Sequence, residues 1–239
     1  MTAPGTSGGV DRTREPRPLE PRHYRFPRVR RETLANGLRV RVCPREALPL
    51  VTVLIAMETG GTQDPAGQEG LSWMTASLLT EGAGARGAAE VAQDAERLGA
   101  RLDANCGWDI STVRLGALKE KLPAAMKLAA DAALRPRFDE PEVKREVAQR
   151  LAEIQSDRDD PGSIAAERSI QFLFGAHRYG TPLAGTEPTV GAMTPVLFGC
   201  DTMHVAHSRI FAVVTVAGAR APHVDEPSTV WLNESDVTP

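Results

Sequence analysis

Apolar residues recur along this chain at two spacings, and each change of spacing marks an element. Leu38, Val40 and Val42 alternate with Arg39, Arg41 and Cys43, the two-residue period of a strand with one face in a core. With Glu32 to Leu34 and the intervening Asn36-Gly37 this predicts a hairpin, its Asn-Gly in a tight primed turn that needs positive backbone dihedrals. Leu50 to Met57 is nearly all apolar and predicts a strand buried on both faces. Further strands are expected at Ala100 to Cys106 and Ile110 to Ala117, joined near Gly107-Trp108-Asp109, and at Ile210 to Ala217. Between them the period lengthens. Leu71, Met74 and Leu78 share one face of a helix beginning at Gly70, and after a turn at Gly82 to Gly87 a second helix runs from Ala88 to Leu98, with Gly99 at its C-cap. Lys119 to Leu134 is amphipathic through Leu122, Met126, Leu128, Ala129 and Ala132, and Pro136 stops it. From Pro141 to about Asp157, Val143, Val147, Leu151 and Ile154 form a continuous stripe. Asp160-Pro161 breaks that helix. The next, Ser163 to Phe174, carries Ile164, Ile170, Leu173 and Phe174, and shorter helices follow near Thr189 to Met193 and around Cys200 to His207.

The ends of the chain lack this periodicity. Residues 1–30 are rich in Gly, Pro and Arg, but Asp11, Glu15 and Glu20 dilute the charge and the prolines forbid an amphipathic helix. A solvated tail is expected there rather than a basic arm for an anionic partner or a mitochondrial transit peptide. Residues 219–239 read as a second disordered tail, which leaves one ordered domain over 31–218. A net charge of -3 points to neither nucleic acid nor an acidic surface as partner. No apolar run nears the ~20 residues of a membrane span, and the N-terminus has no apolar signal-peptide core. Cys43, Cys106 and Cys200 are odd in number and scattered, against a disulfide framework. A cytoplasmic location is the expectation.

Several residues invite chemical readings, each beside a plainer one. Cys200, His204 and His207 fall at i, i+4 and i+7, a spacing that could hold zinc or be accidental. Asp157, Asp159 and Asp160 could suggest calcium, but no glycine or bidentate Glu completes such a loop, and a solvated helix end accounts for them. Trp73, Met74 and Trp108 could anchor a peptide or sit in the core, the latter being preferred. No G-x-S-x-G elbow is present, and Gly60-Gly61 fits no phosphate-binding fingerprint.

Four stretches together resemble the insulinase/pitrilysin family, which includes the mitochondrial processing peptidases. They are N-G-L-R-V at Asn36 to Val40, the G-x-x-x-D-P-x-G-x-x-G-L loop ending at Leu71, E-R-L-G-A-R-L from Glu96, and Y-G-T-P-L-A-G-T from Tyr179, preceded by His177. The resemblance covers roughly Arg31 to Val190. It implies an α+β domain, an antiparallel sheet with helices packed on one face, as one half of a two-domain subunit. Active members carry His-x-x-Glu-His on the first helix. Aligned on Gly70-Leu71, this chain has Trp73, Ala76 and Ser77 there, while Glu153 falls near the family's third-ligand position. Trp cannot ligate zinc and Ala cannot accept a proton. The resemblance therefore implies no catalytic, cofactor-binding or metal residue in this chain, and Glu153 reads as an ordinary helix carboxylate. It implies instead a non-catalytic subunit, or a truncated half of one, in a hetero-oligomer with a zinc-bearing homologous subunit, sharing a peptide substrate. The alternatives are a peptide-binding or scaffold domain without peptidase involvement, and a non-functional fragment.

Overall fold

A computed structural model describes residues 27–45, 48–198 and 210–217. The expected tails, other than residues 27–30 at the end of the first, and Cys200, His204 and His207 lie outside the described residues. The architecture is α+β. Its main sheet contains β1 (Arg30–Thr33), β2 (Arg39–Arg45), β3 (Leu50–Met57), β6 (Arg101–Cys106), β7 (Ser111–Leu118) and β8 (Ile210–Ala217), in the order β1-β2-β8-β3-β7-β6.

The sheet is mixed rather than wholly antiparallel, because β8 inserts between β2 and β3 and runs parallel to β2. The cause is geometric. β2 and β3 run in opposite directions, so any strand placed between them must be parallel to one. Across the sheet Val51 pairs with Ala117, Val53 with Leu115 and Ile55 with Val113, which puts this whole set on one face. Helix α3 (Leu122–Leu134) lies over that face through Ala125 and Ala129, whose small side chains allow close approach, with Leu98, Leu102, Leu122 and Met126 filling the margins. The opposite face has no helix among the described residues. Leu50 is exposed and Thr52 and Leu54 are half-buried, so β3 is not buried on both faces as its composition predicts.

The hairpin forms at the expected place by a different turn. Gly37 donates to the Leu34 carbonyl and has φ 85°, while no non-glycine among the described residues has positive φ. A primed turn would need positive φ at Asn36 as well. This is instead an ordinary turn closed by a left-handed glycine, with Asn36 Oδ1 accepting from Leu38 N at 3.1 Å. Gly82 to Gly87 is a small ribbon, β4 (Gly82–Ala83) on β5 (Arg86–Gly87), leading into α2 (Ala88–Leu98). The ribbon is tied to α3 by buried Asp131, which accepts from Arg86 at 2.9 Å and from Arg135.

A second core forms away from the sheet. In it α1 (Leu71–Leu78), α4 (Glu140–Asp157), α6 (Glu187–Gly191) and a helical turn at 195–198 bury Leu71, Met74, Leu78, Val143, Val190, Met193 and Phe198. The stripe Val143, Val147, Leu151 and Ile154 on α4 faces this core in full. Helix α5 (Pro161–Phe174) behaves otherwise. It starts where Asp160 accepts from Ser163 N at 2.7 Å, yet Ile164, Ile170, Phe172, Leu173 and Phe174 all remain exposed. No helix among the described residues is long and apolar enough to cross a membrane.

Candidate functional site

The loop before α1 is held by one buried carboxylate. Asp64 accepts from Gly70 N and Ser72 N, each at 2.9 Å, and from Ser72 Oγ at 2.5 Å, so it satisfies amides at the helix start that would otherwise be orphaned. Gly70 stands at φ 95°, and a Cβ there would lie 2.6 Å from Gly185 Cα. Thr189 Oγ1 donates to the Glu69 carbonyl at 2.8 Å. On the other side of the loop, Thr62 Oγ1 donates to the Trp108 carbonyl at 2.9 Å, and a Cβ on Gly60 would collide with the Gly107 carbonyl oxygen. Tyr179 closes the cluster. Its hydroxyl donates to Asp109 Oδ2 at 2.7 Å, a bond that holds the phenol above its usual pKa, and its ring lies 5.4 Å from that of Trp108 and 4.8 Å from that of His177. Three stretches distant in sequence thus meet at one place, and their glycines and Asp-Pro turn are explained by packing.

From that cluster α1 leaves with two distinct sides. Met74 and Leu78 point into the second core and Ala76 is buried, while Trp73 and Ser77, one turn apart, are half-buried, Trp73 packing at the margin of that core. Ser77 Oγ is engaged with the Trp73 carbonyl at 3.3 Å. From α4, Arg150 reaches over the indole of Trp73, its guanidinium carbon 5.2 Å from the ring centroid. The same guanidinium donates to the Ala184 carbonyl at 3.1 Å and pairs with Glu153 at 3.1 Å, with Asp157 at 4.0 Å. Glu153 also accepts from Gln149 at 3.2 Å. One turn earlier, Glu146 is largely buried. Burial pushes its carboxyl above the usual range, partly offset by Arg145 at 3.6 Å.

These residues do not fit a divalent metal. The α1 positions offer an indole, a methyl and a hydroxyl already engaged, and the Glu153 carboxylate is bonded to a guanidinium. Among the described residues, no three His, Cys, Asp or Glu side chains stand together as ligands. Met74 belongs to the core and Trp108 to the loop cluster, and Asp160 serves as the cap of α5. The one sequence signal for Arg150 is a cation beside Leu151 at the border of an apolar stripe, and that for Asp64 is its place in an Asp-Pro turn before a helix.

Comparison with known proteins bears on this geometry. The model of the insulinase family, peptidase family M16, matches residues 44–187. An uncharacterized zinc protease of Mycobacterium tuberculosis is 31% identical over 208 residues, covering 85% of this chain and 45% of the relative. The uncharacterized zinc protease YmxG of Bacillus subtilis is 25% identical over 194 residues, 80% of this chain and 46% of that protein. The chain therefore spans about half the length of the curated relatives it matches. Among solved structures, the peptidase M16 inactive domain from Pseudomonas fluorescens superposes with a TM-score of 0.75 at 22% identity, over 81% of this chain and 47% of that one. The first half of the periplasmic protease PqqL from Escherichia coli superposes with a TM-score of 0.71 at 18% identity, over 81% of this chain and 43% of that structure.

Proposed function

The chain belongs to the insulinase family, peptidase family M16, and from that premise we propose that it is a non-catalytic half that completes a peptide-holding chamber with a zinc-bearing homologous partner. One observation carries the reading. On α1 the Trp73 ring lies under the Arg150 guanidinium, Ala76 is buried and Ser77 is half-buried, so these positions offer neither the ligands nor the base of zinc peptide hydrolysis. The likeness to a solved domain described as inactive supports it.

The reading includes a partner half. Exposed apolar side chains along α5 form the kind of surface that single soluble domains rarely leave uncovered, and the chain matches only about half of each relative. On this reading zinc resides in the partner, the peptide is shared between the two, neither nucleic acid nor membrane takes part, and the location is cytoplasmic.

The test is affinity purification of the tagged chain from its native lysate, followed by zinc analysis and a peptidase assay. A zinc-containing homologue in the eluate, with peptidase activity lost to chelator, supports the proposal. A folded chain that brings down no such homologue points to a scaffold domain or a non-functional fragment. Zinc and activity in the chain purified alone refute the non-catalytic reading.

A further inference from the structure

We infer that Arg150 is a resident cation that stands where α1 and α4 would otherwise hold a metal, so that this site stays closed to divalent ions even when the missing ligands are supplied. The inference rests on the non-catalytic reading and goes beyond it. Loss of ligands leaves a site empty. Arg150 fills it.

The geometry is that of a built position. Glu146, Arg150, Glu153 and Asp157 follow at i, i+4, i+7 and i+11 along α4, bordering the apolar stripe that packs against α1. On α1 the Trp73 ring faces this row through the Arg150 guanidinium. The Arg150 side chain keeps only 13% of its exposure and has partners on three elements: the Trp73 ring, the Ala184 carbonyl, and the carboxylates of Glu153 and Asp157. A planar guanidinium suits this environment, stacking on an indole while its edge donates in fixed directions. It also neutralises Glu153, the carboxylate that falls near the expected third-ligand position. A dication entering there would lose Glu153 to Arg150 and face an adjacent fixed positive charge in a poorly solvated place.

The test compares zinc affinity in three chains by competition with a chromophoric chelator. The first carries Trp73→His, Ala76→Glu and Ser77→His. The second adds Arg150→Gln, and the third adds Arg150→Lys instead. The expected result is one zinc bound at least about tenfold more tightly by the Gln chain than by the other two, within the range that groups around metal ligands command. Equal affinity in the first and second chains overturns the inference and leaves the site's placement intact. Zinc uptake by the Lys chain to the level of the Gln chain shows that bulk rather than charge was decisive, and overturns it too. No zinc in any chain removes the placement of the site on α1, and the inference with it. A second measurement needs no graft. Arg150→Gln in the otherwise native chain changes the fluorescence contribution of Trp73, obtained by difference against Trp73→Phe, while circular dichroism stays native. An unchanged contribution contradicts the stacked cation.

Discussion

Helices α1 and α5 begin alike and end in opposite environments. Each follows an Asp-Pro break, and in each the aspartate accepts from backbone amides at the helix start, Asp64 at Gly70 and Ser72, Asp160 at Ser163. Yet Met74 and Leu78 of α1 are fully buried, whereas Phe172 and Leu173 of α5 remain 88% and 70% exposed. The difference lies in the arrangement of the apolar positions. Leu71, Met74 and Leu78 share one face, which α4 covers. Ile164, Ile170, Phe172, Leu173 and Phe174 spread around most of the helix axis, so no single neighbour could cover them. The 3-10 turn at Arg178–Gly180 meets its end, where the Phe174 ring lies 5.7 Å from that of Tyr179. Capping specifies that a helix forms. Burial depends on what the rest of the molecule brings to it.

This contrast is open to direct attack, and the strongest attack is on the buried side. Met74→Ala should cost about 2–5 kcal/mol through lost transfer energy and the cavity left behind, lowering Tm by roughly 5–15 °C for a chain of this size. Leu173→Ala should stay within about 0.5 kcal/mol, as surface changes do. A thermal melt of both variants decides whether α5 is as unsupported as it stands.

Next in size is the cap. Asp64→Ala strands buried amides at Gly70 and Ser72 and should cost about 1–3 kcal/mol of global stability. Asp160→Ala should instead raise amide hydrogen exchange only within α5, leaving the melt of the domain unchanged. Global loss in the second variant would mean that α5 is coupled to the core.

A smaller effect concerns association. Phe172→Glu should leave Tm within about 2 °C of the native value while reducing light scattering from the concentrated chain. Unchanged scattering would show that the exposed side of α5 does not drive self-association.

The smallest effect is electrostatic and belongs to the α4 face beside α1. Glu146 has its carboxyl raised above the usual 4.5, chiefly by burial. The neutral form is therefore favoured in the fold, and its contribution to stability is complete below about pH 4.5 and lost as pH rises through the raised value. Glu146→Gln should then match the native chain near pH 4 and exceed it by about 1 °C in Tm at pH 7. A variant less stable at pH 7 would mean that the ionised carboxylate is held by Arg145 more firmly than its 3.6 Å separation indicates.

Much of the fold was readable in the chain. The bounds of β3, α2 and β8 follow from the extent of their apolar segments and from the stop at Gly99. The α4 stripe was visible as a pattern and packs as that pattern requires, because helical period and burial report the same face. The site was readable only as a substitution. Trp73, Ala76 and Ser77 stand on α1 where the resemblance implies a His-x-x-Glu-His motif, while the guanidinium that lies over Trp73 comes from a residue 77 positions later.

What the sequence alone determined is therefore local: where helices and strands begin and stop, which face of each is apolar, and that α1 contains no His, Cys, Asp or Glu. These follow from backbone sterics, period and side-chain chemistry within a few residues. Tertiary structure decided the rest. It set β8 between β2 and β3, left the apolar side chains of α5 exposed among the described residues, joined Asp109 to Tyr179 across 70 residues, and laid Arg150 on Trp73. Each of these depends on which distant surfaces meet, and local propensity carries no information about a neighbour that only the folded chain supplies.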